Sequence, residues 1–292
     1  MKYVNEVNGK NYNVGAKFDN YLDDAMNIKF KNADQYKICD CTKMNCNIRA
    51  TICGKCYEDP DEMSEKLYLD IASYFGDIFK NLNIEGNVIE EMKAERCCLK
   101  LGDEIKLELS TDYIGPSRYW AEKYLDEVDK SQKIGEFLLI SRTIGGHVFW
   151  PTHQINKQKT INQVKGGRAI YDRIDITLAE LKNFYDVVIE KNKNHEFYYY
   201  KPLFNAFCRY KWFFECFGTF KNYIYKMKLE DFLVEGEAIS LTTSNLKKNR
   251  INKLQIGESY KPLKYELYID NLMILIEQRS EKILAAHSEC KK

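Results

Sequence analysis

The stretch RCCLKLGDEIKLELS, residues 96–110, alternates apolar and polar side chains on both sides of Gly102-Asp103. Alternation with a period of two is typical of a strand with one buried face, and a Gly-Asp step between two such runs is typical of a hairpin turn. We therefore predict a hairpin here, as part of a small antiparallel sheet.

Signals for further elements follow the hairpin. Pro116 stands where a helix can begin, since the first helical turn leaves its amide protons unused. The run QKIGEFLLISRTIGG, residues 132–146, predicts another helix that ends at its glycine pair. The run HVFW, residues 147–150, predicts a short strand that Pro151 stops.

The C-terminal part of the chain has mostly helical patterns. Thr177, with Glu180 three residues later, fits a capping box at the start of a helix. Aromatic side chains between residues 197 and 225 recur at helical spacing, which favours core packing over base stacking. A final helix is predicted over residues 264–287. The predicted fold class is α+β, mainly helical, with the small antiparallel sheet described above.

Cysteine distribution divides the chain into two regions. Residues 1–95 form an N-terminal region with a cysteine cluster at 39–56 and an amphipathic helix at 59–82. Residues 96–292 form the main domain. The metal ligands that we predict for a structural zinc ion are Cys41, Cys46, Cys53 and Cys56. Free thiols and disulfides are the alternatives, because CGKC lacks a second pair with the same spacing.

The net charge of the whole chain is too small to attract a nucleic acid by itself. The chain has 44 basic and 43 acidic residues, a formal charge of +1, so any affinity for polyanions must come from a local patch. No apolar run approaches the roughly 20 residues that span a bilayer. The first residues lack the apolar core of a signal peptide. We therefore expect a cytoplasmic protein with no membrane partner.

The basic patch lies in RTIGGHVFWPTHQINKQKTINQVKGGRAIYDR, residues 142–173. Six residues of this segment are basic and one, Asp172, is acidic. Lysine and arginine bind phosphates, and glycine pairs allow a backbone to approach a ligand closely. This combination predicts a site for an anionic ligand, most simply RNA or a nucleotide.

Roles within the predicted site follow from residue chemistry. His147 is the candidate general acid or base, because its ordinary pKa suits proton transfer at neutral pH. Arg142, Lys159 and Arg168 are candidates for stabilising charge on a phosphorane. The ligand-binding candidates are Gly145, Gly146, Asn162, Gln163, Gly166, Gly167, Asp172 and Arg173. Few carboxylates accompany them, which favours cleavage without a catalytic metal.

Other interpretations of the same residues remain open. The segment is also compatible with a solvated loop, with Asp172 and Arg173 as a structural ion pair and His147 as a half-buried core residue. A non-catalytic factor that binds a nucleotide or a protein partner is the alternative function. A nucleotide-dependent transferase is the third. Asp112 and Tyr113, where a strand meets a helix, also fit a ligand contact, although Gly115-Pro116 explains that stretch as a tight turn.

Several phrases resemble a known family. STDYIGPSRYWAEK, ISRTIGGHVFWP and KTINQVKGGRAIYDRIDITLAELKNFY are similar to an uncharacterised family of bacterial and phage-associated proteins with a T-I-G-G-H…T-I-N-Q…Y-D-R…D-x-T-L signature. The resemblance covers about residues 105–235. It implies no activity and adds no catalytic residue. It implies only that the basic segment is the signature region. A toxin or phage-defence setting is a separate expectation for an intracellular enzyme that acts on RNA or a nucleotide.

Overall fold

The structure is a computed structural model. It describes residues 4–7, 10–13, 51–52, 55–56, 87–92, 97–101, 105–116, 133, 137, 140–141, 144–151, 154–166, 170–192, 197–244 and 265–290.

A four-stranded antiparallel sheet contains the predicted hairpin. Its strands, in spatial order, are β5 (Asn87–Met92), β6 (Cys97–Leu101), β7 (Ile105–Tyr113) and β8 (His147–Pro151). Leu99 pairs with Leu107, so the two halves of the predicted hairpin are adjacent strands and the prediction is confirmed.

Strand β8 lies at one edge of this sheet and pairs with the end of β7. Tyr113 is opposite His147, and Leu109 is opposite Pro151. The predicted strand is therefore confirmed, but Pro151 is its last residue and not the residue after it. Proline is tolerated there because an edge strand has one side with no ladder hydrogen bonds.

Three two-stranded antiparallel hairpins accompany the main sheet. They are formed by β1 (Val4–Val7) with β2 (Lys10–Asn13), β3 (Thr51–Ile52) with β4 (Lys55–Cys56), and β9 (Leu233–Val234) with β10 (Glu237–Ala238).

Helices dominate the described part after β8. They are α1 (Ile161–Lys165), α2 (Ile174–Phe184), α3 (Lys201–Arg209), α4 (Lys211–Glu215), α5 (Phe220–Lys226) and α6 (Tyr265–Cys290). A π-helical turn, Tyr185–Ile189, extends α2. The α+β class with a mainly helical content is confirmed, as is the C-terminal helix.

The capping box predicted at Thr177 is wrong. Helix α2 begins earlier, with Arg173 as its N-cap, and the Thr177 hydroxyl donates to the Arg173 carbonyl within the first turn (2.9 Å). The Glu180 carboxylate accepts from the Tyr200 amide instead (2.6 Å). A capping box does occur at the start of α1, where Thr160 and Gln163 bond reciprocally. Its sequence, Thr160-Ile-Asn-Gln163, fits the S/T-x-x-E/Q pattern and therefore predicts a helix start at this position.

The core is aromatic and lies between β8 and the helices. Trp150 is buried with its ring 6.2–6.3 Å from the rings of Phe207, Phe214 and Tyr223. These three belong to the stretch 197–225, so the prediction that its aromatics pack in the core is confirmed for most of them, whereas Tyr198 and Tyr225 are exposed. Among the described residues, no helix combines the length and apolar composition needed to cross a membrane.

Candidate functional site

The predicted basic segment occupies β8, α1, the loop between them and the turn into α2. Arg142, Gly167 and Arg168 lie outside the described residues, as do Cys41, Cys46 and Cys53. Cys56 lies in β4, but its side chain is not described. Roles predicted for these residues stay predictions. Among the residues that are described, no group of three or more His, Cys, Asp or Glu side chains could hold a metal ion.

A buried ionic centre lies where α1 ends against β7. The Lys165 ammonium is 3.0 Å from Asp112 Oδ2 and 3.2 Å from Asp172 Oδ1, and it donates to the Tyr113 carbonyl (2.9 Å). Lys165 is fully buried, and both carboxylates are nearly so. One cation therefore joins the last turn of α1, the end of β7 and the turn that precedes α2.

Electrostatics keep Lys165 charged despite its burial. Burial by itself lowers the pKa of Lys165, but the charges of Asp112 and Asp172 outweigh that effect, so the pKa lies above the usual lysine value. An ammonium held in this way is neither a base nor a nucleophile at neutral pH. Its role is to hold the two carboxylates, and it is not available to bind a phosphate.

The turn that supplies Asp172 has an uncommon backbone. Tyr171 and Asp172 have φ angles of 57° and 52°, in the left-handed region that non-glycine residues rarely adopt. The Asp172 amide donates to the Lys165 carbonyl (3.2 Å), which fixes this geometry. Strained turns of this kind cluster at functional sites, so this turn is a reason to keep the centre as a candidate site.

Arg173 forms a second buried ion pair beside the first. Its guanidinium donates through Nε and Nη2 to the two carboxylate oxygens of Asp175, at 3.0 and 2.6 Å. Burial lowers the pKa of Arg173, but the Asp175 charge more than compensates and the pKa is raised. Asp175 Oδ2 also accepts from the Leu241 amide (3.2 Å). The structural ion pair predicted between Asp172 and Arg173 is therefore wrong, since each pairs with a different residue.

His147 lies in the core at the start of β8. Its side chain is 1% exposed, and its ring centre is 4.9 Å from that of Tyr113. Its carbonyl accepts from the buried Arg279 guanidinium of α6 (2.7 Å). A substrate cannot reach an imidazole so covered unless the surrounding chain moves. The predicted catalytic role of His147 stays a prediction.

The first glycine pair is in close contact with protein atoms. The Gly145 amide donates to Ser280 Oγ (3.0 Å), and the Gly145 carbonyl accepts from Arg279 (2.6 Å). A β-carbon at Gly145 would overlap Ser280, and one at Gly146 would overlap the backbone of Ser141. The pair lets helix α6 approach the start of β8, and this packing explains the glycines without a ligand.

Two of the described cations of the segment are exposed. Lys157 and Lys159 lie on the surface in the loop before α1, and the Lys159 carbonyl accepts from Arg209 Nη2 at the end of α3 (2.5 Å). No ion pair within the described part of the chain involves any of these three side chains. We call the exposed Lys157 and Lys159 and the half-buried Arg209 the basic surface.

The amide and glycine candidates lie near the basic surface. Asn162 and Gly166 are half-buried in and after α1. Gln163 is exposed, but its Oε1 accepts from the Thr160 amide (3.1 Å) and from Gln154 Nε2 (3.2 Å). Its carbonyl oxygen is therefore engaged in capping α1, and its amide nitrogen remains the part available to a ligand.

Sequence reasoning missed two participants. Asp112 was considered only as a ligand contact or as part of the tight turn at Gly115-Pro116, not as a partner of Lys165, and Arg209 was not considered. Asp112 lies far from Lys165 in the sequence, and so does Arg209 from Lys159, which is why no local pattern indicated these contacts.

Comparisons with known proteins place the chain in one family. A model described as a family of unknown function (DUF6994) matches residues 42–283. Neither the curated proteins nor the solved structures include a match to this chain. The predicted resemblance to an uncharacterised family is confirmed at that level. Because the match covers well over half of the 292 residues, the chain belongs to this family of unknown function.

Proposed function

We propose that the protein binds RNA or a nucleotide, and that the basic surface holds its phosphates. The observation that carries this proposal is that some cations of this region are neutralised by carboxylates and others are not. Lys165 and Arg173 are neutralised by buried aspartates, whereas Lys157, Lys159 and Arg209 have no carboxylate partner among the described residues. When such cations neutralise the phosphates of RNA, the counterions condensed on the RNA are released, which favours binding.

The local geometry supports phosphate binding at this place. The Arg209 guanidinium donates to the Lys159 carbonyl, which holds it against the loop that carries both lysines. Asn156 and Lys157 have φ angles of 53° and 59°, so the loop has a defined turn rather than an extended course. Exposed amides on Gln154 and Gln158 flank the lysines and offer donors and acceptors to a base or a ribose.

Binding without turnover is the form that the described geometry favours, because His147 is buried. An enzyme acting on RNA or a nucleotide is the second candidate. The strained turn at Tyr171 and Asp172 supports it, since such strain often accompanies catalysis. For either form, the proposal includes a defence or toxin context.

The test is fluorescence anisotropy with a labelled single-stranded RNA across a range of salt concentrations. The variant is Lys157→Gln with Lys159→Gln. The matched control is Lys191→Gln with Lys221→Gln, because it removes two exposed lysines, one of them again with a left-handed φ (Lys191, 54°). We expect the first variant to lower the slope of log affinity against log salt by about 1.4, from about 0.7 per phosphate contact, with the control near wild type.

If both variants bind RNA equally weakly, the loss is explained by the lower net charge alone, and the basic surface is not the binding site. Absence of RNA binding by the wild type, together with no binding of a labelled nucleoside triphosphate, would overturn the proposal. Incubation of total RNA in EDTA with wild type and His147→Ala separates the two candidates. Cleavage that disappears in the variant would favour the enzyme.

A further inference from the structure

A cavity of about 680 Å³ lies on a part of the molecule that the basic segment does not reach. It is formed by the end of α2 with its π-helical turn, by α5 and by the hairpin of β9 and β10. Phe220, Ile224, Tyr225 and Leu233 line it with apolar surface. This size is within the range of small-molecule sites, which are usually apolar with a few polar groups that orient the ligand.

Most charged groups around this cavity already have partners. The Lys182 ammonium is 2.7 Å from Asp186 and 3.4 Å from Glu237. Burial lowers the pKa of Lys182, but Asp186 and Glu237 raise it by more, so the pKa lies above the usual lysine value and the lysine stays charged and paired. The Glu190 carboxylate accepts from the Phe220 amide (2.9 Å), which ties it to the start of α5.

Glu230 is different from these residues. It lines the cavity, and its Oε2 atom is buried without a hydrogen-bond donor from the described part of the chain. The neighbouring Asp231 is paired with Lys282 (2.6 Å), and Lys228 lies over the ring of Tyr225 (4.4 Å from its centre). The side chain of Glu230 is half-buried, and within the described part of the chain no cation pairs with its carboxylate, so a ligand that brings a cationic N–H group would supply the missing countercharge.

The backbone around the cavity also has features of a binding site. Residues Tyr185–Ile189 form a π-helical turn, which the Glu190 amide closes on the Tyr185 carbonyl (2.8 Å). Turns of this kind are rare and are frequently found at functional sites. The hairpin that faces it is closed by Glu235 and Gly236, whose φ angles of 52° and 78° are ordinary for a two-residue hairpin turn.

From these observations we propose that the cavity binds an organic cation with an apolar body, of the aralkylamine class. The apolar walls around Phe220 and Ile224 would hold the ring, and the ammonium would pair with the Glu230 carboxylate. An anion is disfavoured here, because the lining contains four carboxylates (Asp186, Glu190, Glu230 and Glu235) and only two lysines (Lys182 and Lys221). This site is separate from the basic surface, and the inference does not depend on RNA binding.

The experiment is calorimetric titration of the full chain with tryptamine, its uncharged analogue 3-ethylindole and the anionic indole-3-propionate. We expect tryptamine to bind at least tenfold more tightly than either analogue. Glu230→Gln, which keeps the shape and removes the charge, should abolish that preference. Glu215→Gln is the matched control, because Glu215 is an exposed carboxylate on α4 that pairs with Lys211 (2.7 Å); it should behave as the wild type.

A second variant tests the place of binding without changing charge. Leu233→Trp fills part of the cavity and should weaken tryptamine and 3-ethylindole together, with melting curves used to verify that each variant is folded. Tight binding that survives both Glu230→Gln and Leu233→Trp would overturn the proposal. So would a wild-type protein that binds no tryptamine at millimolar concentration, or one that prefers indole-3-propionate.

Discussion

Lys165 and Lys159 are close in the sequence and have opposite surroundings in the structure. Lys165 is enclosed by Asp112 and Asp172, whereas Lys159 is exposed and only its carbonyl is held, by Arg209. A dense cluster of basic residues therefore contains two kinds of cation. One kind is part of the core, and the other is available to a ligand.

The difference lies in what each charge gains from its surroundings. A buried lysine loses its hydration and is stable only while its carboxylate partners compensate. An exposed lysine keeps its hydration and contributes little to folding, so it can be used for binding. The predictions below test this distinction, from the largest expected effect to the smallest.

Lys165→Ala should lower the free energy of unfolding by about 3–5 kcal/mol, because it leaves two buried carboxylates without their cation. Urea denaturation measures this effect. The control replaces all three charges, as Lys165→Met with Asp112→Asn and Asp172→Asn, and should recover much of the loss. If Lys165→Ala unfolds at the wild-type urea concentration, the ionic centre has no structural role.

Gly146→Ala should cost about 1–3 kcal/mol, because the added methyl group overlaps the Ser141 backbone and forces the chain to shift. Gly166→Ala is the comparison, since there the nearest atom is the Asn162 carbonyl oxygen at 3.2 Å. Thermal melting of the two variants should rank Gly146→Ala as clearly less stable. The reverse order would contradict the packing explanation of the first glycine pair.

Thr160→Ala should cost about 1 kcal/mol, the usual effect of losing an N-cap side chain. Thr160 lies between the exposed loop and the helix that carries Lys165, so the variant should also weaken RNA binding by loosening the loop. Thr219→Ala removes the N-cap of α5, where Thr219 accepts from the Asn222 amide (3.1 Å). It should cost a similar amount in urea denaturation but leave RNA binding unchanged.

Lys157→Gln with Lys159→Gln should change the free energy of unfolding by less than about 0.5 kcal/mol, as is usual for surface substitutions. The same variant is expected to lose phosphate affinity. Stability from urea denaturation and affinity from anisotropy, measured on one preparation, check both statements. A large loss of stability would mean that these lysines, like Lys165, stabilise the fold.

Local patterns were sufficient for much of the fold. The alternation around Gly102-Asp103 and the helical spacing of the aromatics predicted elements that the structure contains, because strand and helix periodicity follow directly from which face is buried. The start of α2 was misplaced, since Thr177 and Glu180 have the capping pattern but make contacts inside the helix and with Tyr200. The two-region division of the chain stays a prediction.

The site was predicted less completely. Counting charges in residues 142–173 treated Lys159 and Lys165 as equivalent cations of one site, although one is exposed and the other is buried between two aspartates. Sequence alone determined which residue types lie near one another along the chain, because that information is local. Tertiary structure alone decided which of them are neutralised, because Asp112 and Arg209 come from distant elements and only folding brings a carboxylate to one lysine and leaves the other in water.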